Sequence, residues 1–266
     1  MTTIDAHRAA GSRLRSLAGL LRSLGMYHAI PGRQRRLRRL YGRFVAPGDL
    51  VFDLGAHAGN RARALAALGC RVVAVEPQPD FARLLRAMFA RSADVEVVEA
   101  AVAADAGRAS LSISERTPTL TTLAAEWRDE RLRDPRFAGV RWNRTVEVEA
   151  TTLDALVARF GSPSFVKIDV EGFEPQVLAG LTRPLPLLSF EYLPGALEHV
   201  RAAMARLDAL GSYRYNWSPG ESYRLAASDW LTAEAQCAAL DTPAARRVSG
   251  DVYARLARGP GDTPSR

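Results

Sequence analysis

A stretch near residue 50 joins an apolar strand to a glycine-rich turn, and it reads Val51-Phe52-Asp53-Leu54-Gly55-Ala56-His57-Ala58-Gly59. Its first residues are apolar apart from one acid, which predicts a buried β-strand. Gly55 and Gly59 give the backbone the freedom for a tight turn. A helical pattern follows over 60–68. A strand, a glycine turn and a helix in this order predict the first unit of a parallel α/β sheet.

The same alternation continues along the chain. Further strands are predicted at 71–75, 95–98, 164–169, 187–192, 213–217 and 251–256, and further helices at 79–89, 173–180 and 196–210. Such alternation predicts a mostly parallel sheet with helices on both faces. Ligands bind such sheets at the carboxyl ends of the strands, so we expect the site there.

The alternation breaks between 98 and 164. Two strands, 109–113 and 145–149, flank a polar segment, 114–143. A connection of this length inside a compact domain is more often functional than idle, so we interpret 114–143 as an insertion that faces the substrate. We therefore expect one domain over 49–257, followed by a disordered tail, 258–266.

The net charge of +7 is concentrated at the start of the chain. Residues 1–48 contain ten Arg and one acid, 10 − 1 = +9, and residues 49–266 contain 26 basic and 28 acidic residues, 26 − 28 = −2. Leucines at 3-4-3 spacing over 14–24, and apolar residues over 37–44, predict two amphipathic helices in this extension. We expect them to pack over the sheet or form a lid or a homodimer contact, in preference to binding a membrane or nucleic acid.

Composition also indicates a compartment. The chain has no apolar run long enough for a transmembrane helix and no signal-peptide pattern at its start. Its two cysteines, Cys70 and Cys237, are too few for a disulfide framework or a zinc cluster. We expect a cytoplasmic protein, although an Arg-rich and acid-poor start is also typical of an organelle transit peptide.

A second motif follows the strand at 164–169 and reads Val166-Lys167-Ile168-Asp169-Val170-Glu171-Gly172-Phe173-Glu174. Lys167 is the only lysine in the chain, and it lies two residues before Asp169. On a strand this spacing places both side chains on one face. We expect this cluster of charged groups, with Glu171, to form a reactive centre.

The first motif indicates a cofactor that contains a nucleoside. Glu76 ends the second strand 76 − 53 = 23 residues after Asp53, where a carboxylate can accept hydrogen bonds from both ribose hydroxyls. A nicotinamide dehydrogenase would use the same elements. However, Asp53 would repel a pyrophosphate and would attract the ammonium group of S-adenosylmethionine. The motif therefore favours a methyl donor.

The chain resembles the FkbM-type methyltransferases over about residues 50–192. The resemblance is carried by five motifs in the family's order: 53–59, Val75-Glu76-Pro77-Gln78-Pro79, Thr152-Leu153-Asp154, 166–174 and Ser189-Phe190-Glu191. It implies a class I, Rossmann-like methyltransferase fold and S-adenosylmethionine as the donor. It also implies O-methylation of a sugar or natural product.

The resemblance also implies roles for individual residues. The donor would be held by residues of the 53–59 and 75–79 motifs and of the end of the third strand, with Asp169 nearby. These residues are Asp53, Gly55, Ala56, His57, Gly59, Glu76, Pro77, Glu99 and Ala100. Asp169 and Glu171 would reach the reacting centre. From the chemistry of methyl transfer, we expect Asp169 to be the general base, with Lys167 as its partner and Glu171 beside the substrate. For Lys167, a purely structural ion pair is as favoured as a direct catalytic role. We expect His57 to donate hydrogen bonds within the cofactor loop rather than to act as a base. We expect no metal, because two carboxylates without a third ligand make a weak site.

Two positions depart from the family pattern. His57 stands where the family usually has Asn, and Arg61-Ala62 replaces the small hydroxyl-bearing residue that commonly follows the last glycine. These departures leave open which residues contact the donor's carboxylate.

Our leading hypothesis is a small-molecule O-methyltransferase whose acceptor is a glycosyl or polyketide-type hydroxyl. One alternative is an RNA-modifying methyltransferase that uses the Arg-rich segment to bind phosphates. Another is a nucleotide-binding regulatory or reductase domain without methyl transfer.

Overall fold

A computed structural model describes the chain over residues 30–114, 121–124, 128–129, 132–133 and 139–257. The first predicted helix, at 14–24, most of the insertion at 114–143 and the tail at 258–266 lie outside these residues. The strands run in chain order: β1 Leu50–Leu54, β2 Arg71–Val75, β3 Val95–Val98, β4 Ala101–Val102, β5 Gly107–Ile113, β6 Arg144–Thr151, β7 Phe165–Ile168, β8 Leu187–Tyr192, β9 Tyr213–Pro219 and β10 Gly250–Leu256.

The helices of the described residues are α1 Arg33–Tyr41, α2 Asn60–Ala66, α3 Pro79–Met88, α4 Leu153–Phe160, α5 Glu174–Ala179, α6 Leu197–Leu210 and α7 Ala233–Leu240. A short 3₁₀ turn, Ala245–Arg247, precedes β10. No helix among the described residues is both long and apolar enough to cross a membrane.

The described strands form a large sheet in the order β3-β2-β1-β7-β8-β10-β9. The five strands from β3 to β8 pair in parallel, whereas β10 is antiparallel to both of its neighbours. Because the strands are parallel, β1, β2, β7 and β8 all end at the same edge of the sheet. The predicted Rossmann-like α/β fold is confirmed.

Helices cover both faces of this sheet. Alternate residues of a strand point to opposite faces, so Val51 packs in one core cluster with Leu37 of α1 and Leu65 of α2. Its neighbour Phe52 packs in the other cluster, which also contains residues of α4, α5 and α6. A strand that is apolar on both faces is therefore buried on both, as the continuous apolar run predicts.

The predicted second helix of the N-terminal extension is present as α1. Its Leu37, Leu40 and Tyr41 side chains are buried, and the Tyr41 ring lies 5.6 Å from the ring of Phe165 in β7. The Gln34 amide also donates a hydrogen bond to the Asn60 carbonyl oxygen at 2.9 Å. The helix therefore packs against the sheet and the start of α2.

One strand and two α-helices of the structure were not predicted. The short strand β4 joins β6 and β5 in a separate small sheet, α4 follows β6 directly, and α7 precedes β10. The Thr152 hydroxyl caps α4 by accepting the Ala155 N–H, which explains one residue of the Thr152-Leu153-Asp154 motif. Asp154 accepts hydrogen bonds from the Thr182 N–H and hydroxyl at 3.0 and 2.6 Å. This motif therefore ties two connections together.

Candidate functional site

The glycine turn after β1 passes very close to the end of β7. Gly55 has a φ of +77°, and a Cβ atom there would lie 1.9 Å from the Asp169 carbonyl oxygen. Only glycine fits this position. Gly59 has a φ of +74° at the N-cap of α2, and a Cβ atom there would lie 2.8 Å from the Leu85 side chain. Gly59 thus lets α2 approach α3.

Glu76, at the end of β2, is anchored by the same turn. Its side chain accepts the His57 N–H and the Gln78 N–H, each at 2.8 Å. The residue is only 2% exposed, and this burial raises the pKa of its carboxyl to about 7, against the opposing effect of the two N–H groups. Each carboxylate oxygen keeps a further lone pair for a ligand.

These residues line one pocket at the carboxyl edge of the sheet. Of the predicted site residues, seven lie in its wall: Gly55, His57, Glu76, Pro77, Ala100, Asp169 and Glu171. The wall also contains residues that were not predicted to bind a ligand: Asn60, Arg61, Val75, Gln78, Ala101, Val102, Leu111, Thr121, Thr122, Leu123 and Val170. The pocket therefore joins the first motif to the second, as the parallel topology predicts.

Five predicted site residues are not in the wall of this pocket. Ala56 and Gly59 are buried in the turn, and the Glu99 carboxylate forms an ion pair with Arg86 at 2.6 Å. Asp53 and Lys167 are fully buried behind the pocket. Direct contact with a ligand in the pocket is therefore not available to these two side chains in this arrangement.

Asp53 is a buried acid below the glycine turn. Neither of its oxygens makes a hydrogen bond of normal geometry within the described residues. Burial raises the pKa of this carboxyl to about 6, and the charges of Arg61 and Lys167 and the nearby Ala62 N–H partly offset that rise. Its expected attraction for an ammonium group would act at a distance.

Lys167 and Asp169 belong to a buried charge network. The Lys167 ammonium lies 3.0 Å from Asp251 of β10 and 3.7 Å from Asp169, and it donates a hydrogen bond to the Ile168 carbonyl oxygen at 2.8 Å. Asp169 also pairs with Arg61 at 2.8 Å. Burial raises the pKa of Asp169, but Arg61 and Lys167 outweigh this effect and hold it below its usual range. Asp169 is therefore ionised.

His57 adopts a left-handed backbone conformation, with φ of +48°. Its ring lies against the Phe81 ring, with 3.8 Å between the centroids. Burial, with a smaller contribution from Arg61, lowers the pKa of the imidazole to about 3 against the opposing charge of Asp169. The ring is therefore neutral at physiological pH. Its expected role in the cofactor loop stays a prediction.

A third carboxylate completes an acidic cluster at the strand ends; it is Glu191 of the Ser189-Phe190-Glu191 motif, for which no role in the site was predicted. One oxygen from each of Asp169, Glu171 and Glu191 lies within 4.8 Å of the other two. Burial, with repulsion from Asp169 and other nearby acids, raises the pKa of Glu171 and of Glu191 well above the usual range. Oxygen ligands of this kind suit a divalent cation, but the positive charges of Arg61 and Lys167 beside Asp169 oppose one. The expected absence of a metal stays a prediction.

The pocket fits a nucleoside that carries an amino-acid group. Gly55 lies in the pocket wall, and the buried Glu76 has lone pairs for two hydroxyl donors. The wall around them is mixed, with apolar Val75, Val102 and Leu111 beside charged groups. These are the features that an adenosine with a zwitterionic tail requires.

Comparison with known proteins gives one family match and several similar solved structures. The family model for the methyltransferase FkbM domain matches residues 53–209. No curated protein matches the chain with statistical significance. Among solved structures, an O-methyltransferase from Bacillus cereus in complex with SAH is similar, with 13% identity over 93% of this chain and 91% of that one and a TM-score of 0.48. A precorrin-6y C5,15-methyltransferase from Geobacter metallireducens GS-15 has 12% identity over 85% and 87%, with a TM-score of 0.43.

The family match covers more than half of the chain and includes both motifs that meet at the pocket. The chain belongs to the FkbM methyltransferase family.

Proposed function

We propose that the protein transfers a methyl group from S-adenosylmethionine to a hydroxyl group of a small molecule, either a sugar or another natural product. One observation carries this proposal: two walls of different chemistry meet in one pocket. Glu76 and the glycine turn form a wall suited to a nucleoside, and Asp169 and Glu171 form a wall suited to a hydroxyl.

On the donor side, Glu76 would accept hydrogen bonds from the ribose hydroxyls, and Ala100 would lie beside the adenine. The turn at Gly55 and His57 would contact the methionine part. S-adenosylmethionine supplies an electrophilic methyl group on a sulfonium ion. The residues of this wall align that group and keep water away from it.

On the acceptor side, Asp169 would receive the proton that the hydroxyl loses. Transfer would form the bond between the hydroxyl oxygen and the methyl carbon as the carbon–sulfur bond of the donor breaks. The Asp169 carboxylate would take up the proton that the hydroxyl loses and would pass it to solvent. Lys167 lies behind the pocket, so we assign it a positioning role through its ion pair with Asp169.

A polar group in the insertion supports a hydroxylated acceptor. The Thr121 hydroxyl oxygen is buried in the pocket wall and has no hydrogen-bond partner among the described residues. The neighbouring Thr122 hydroxyl donates a hydrogen bond to the Glu171 carbonyl oxygen at 2.8 Å, which holds this segment against the acidic wall. A hydroxyl of the acceptor would satisfy the Thr121 oxygen.

The test separates donor binding from turnover. We expect Glu76→Ala to abolish binding of S-adenosylhomocysteine in calorimetry. Asp169→Asn should retain that binding and lose at least about 100-fold in the rate of methylation, measured by mass spectrometry on a panel of hydroxylated sugars and polyketides. Asp241→Asn, which removes an exposed acid paired with Arg246, is the matched control and should change neither. Full activity of Asp169→Asn on its acceptor would show that Asp169 is not the base.

A further inference from the structure

The charged residues of the pocket wall are acids, apart from one. Glu76, Asp169 and Glu171 contribute carboxyl groups, and Arg61 is the only Lys or Arg among the described residues that line the pocket. The Arg61 side chain is 24% exposed. Burial opposes its charge, but Asp169 and the other nearby acids raise its pKa well above the usual value, so Arg61 remains a cation.

Arg61 emerges next to the glycine turn. It is the second residue of α2, two positions after Gly59 at the N-cap. Its Nη1 atom lies 2.8 Å from Asp169, which reaches the pocket from the end of β7. The guanidinium therefore connects the start of α2 with the end of β7, and both residues line the pocket.

Asp169, the ion-pair partner of Arg61, has a second cation beside it. Asp169 also faces the Lys167 ammonium at 3.7 Å, and Asp251 holds that ammonium at 3.0 Å. Breaking a buried ion pair is costly chiefly because it leaves one charge without compensation. Here Asp169 would still face the Lys167 ammonium if Arg61 moved away. The free-energy cost for Arg61 to leave Asp169 and bind another anion is therefore reduced.

We propose that Arg61 binds the carboxylate of the donor's amino-acid group and gives up its ion pair with Asp169 when it does so. The inference rests on the proposed function, because it takes S-adenosylmethionine as the donor. A guanidinium can bind a carboxylate through two parallel hydrogen bonds, which adds direction to the charge attraction.

The exchange would couple donor binding to the acceptor wall. With the donor in place, Asp169 faces one cation instead of two, and its oxygens become available to a hydroxyl. An empty pocket would instead keep Asp169 occupied by Arg61. Arg61 would therefore both recognise the donor and release the group that receives the acceptor.

The test isolates the carboxylate by changing the ligand as well as the protein. Calorimetry compares S-adenosylhomocysteine with its decarboxylated analogue, which keeps the adenosine, the thioether and the amine. We expect the wild-type protein to bind S-adenosylhomocysteine about 10- to 100-fold more tightly, as a charge-assisted hydrogen bond requires. In Arg61→Gln this preference should fall to less than about threefold.

Arg86→Gln is the matched control, because it removes an ion pair with Glu99 outside the pocket wall, and it should keep the wild-type preference. Arg61→Lys keeps the charge without the planar fork and should show an intermediate preference, which serves if Arg61→Gln does not fold.

Equal affinity of the wild-type protein for the two ligands would overturn this inference alone, as would an unchanged preference in Arg61→Gln. If neither ligand binds the folded wild-type protein, the proposed function fails together with it.

Discussion

Affinity for the donor should depend on pH through Glu76. Its carboxyl has a pKa of about 7 and already accepts two backbone N–H groups. Two ribose hydroxyls need the remaining lone pairs, so the ionised form is the one that binds. The apparent Kd should scale as 1 + 10^(7 − pH), which makes binding about tenfold weaker at pH 6 than at pH 8. Below pH 7, binding should also release a proton.

The measurement is calorimetry of S-adenosylhomocysteine at pH 6, 7 and 8, in buffers with different ionisation enthalpies. His57 does not interfere, because its pKa of about 3 keeps it neutral over this range, and the pKa of Asp53, about 6, lies at its lower limit. Glu76→Gln should bind weakly and without pH dependence.

Glu174 provides a matched control for this experiment. It is also buried and also has a pKa raised to about 7 by burial, and its carboxylate accepts the Val170 N–H at 3.1 Å. However, it is not among the residues that line the pocket, so Glu174→Gln should keep the wild-type pH dependence. A wild-type Kd that is constant within twofold from pH 6 to 8 would refute the role given to Glu76.

Three further predictions concern the charge network, the turn and the acceptor class. Lys167→Met should destabilise the protein by about 3–5 kcal/mol and lower the melting temperature by roughly 6–20 °C, whereas Arg159→Ala, which breaks an exposed pair, should cost less than about 1 kcal/mol. Gly55→Ala should abolish donor binding in calorimetry, because its Cβ would overlap backbone, whereas Gly48→Ala, with open space around it, should cost only about 1 kcal/mol in thermal unfolding. A salt titration against RNA should detect no binding; tight binding that falls steeply with salt would favour the RNA alternative.

Local sequence patterns were sufficient for most of the fold. Apolar runs bounded by turn residues predicted β1, β2, β7 and β8 within a residue or two, because a strand buried on both faces has a composition of its own. The edge strand β3, which is only partly buried, was predicted as well. The short strand β4 and the helices α4 and α7 were missed. A two-residue strand carries no periodic pattern, and eight-residue helices span little more than two turns.

The sequence also indicated which chemistry the site offers. Glu76, Gly55 and Asp169 were selected from motifs, and the parallel sheet brings them together at one pocket because neighbouring strands end at the same edge. Arg61 was noticed only as a departure from a family pattern. Its pairing with Asp169 could not be inferred, because the partners are more than a hundred residues apart.

Residues adjacent in the chain were enough to predict the main strands of the sheet, the glycine turn and the acids at the strand ends, because each of these features is local. Which charges meet depends on how the strands and helices pack. Lys167 is buried outside the pocket wall, where it pairs with Asp251. Glu191, on the neighbouring strand β8, lies close to Asp169 and Glu171. Charge interactions act through space and strengthen with burial, so their partners are set by packing and not by spacing along the chain.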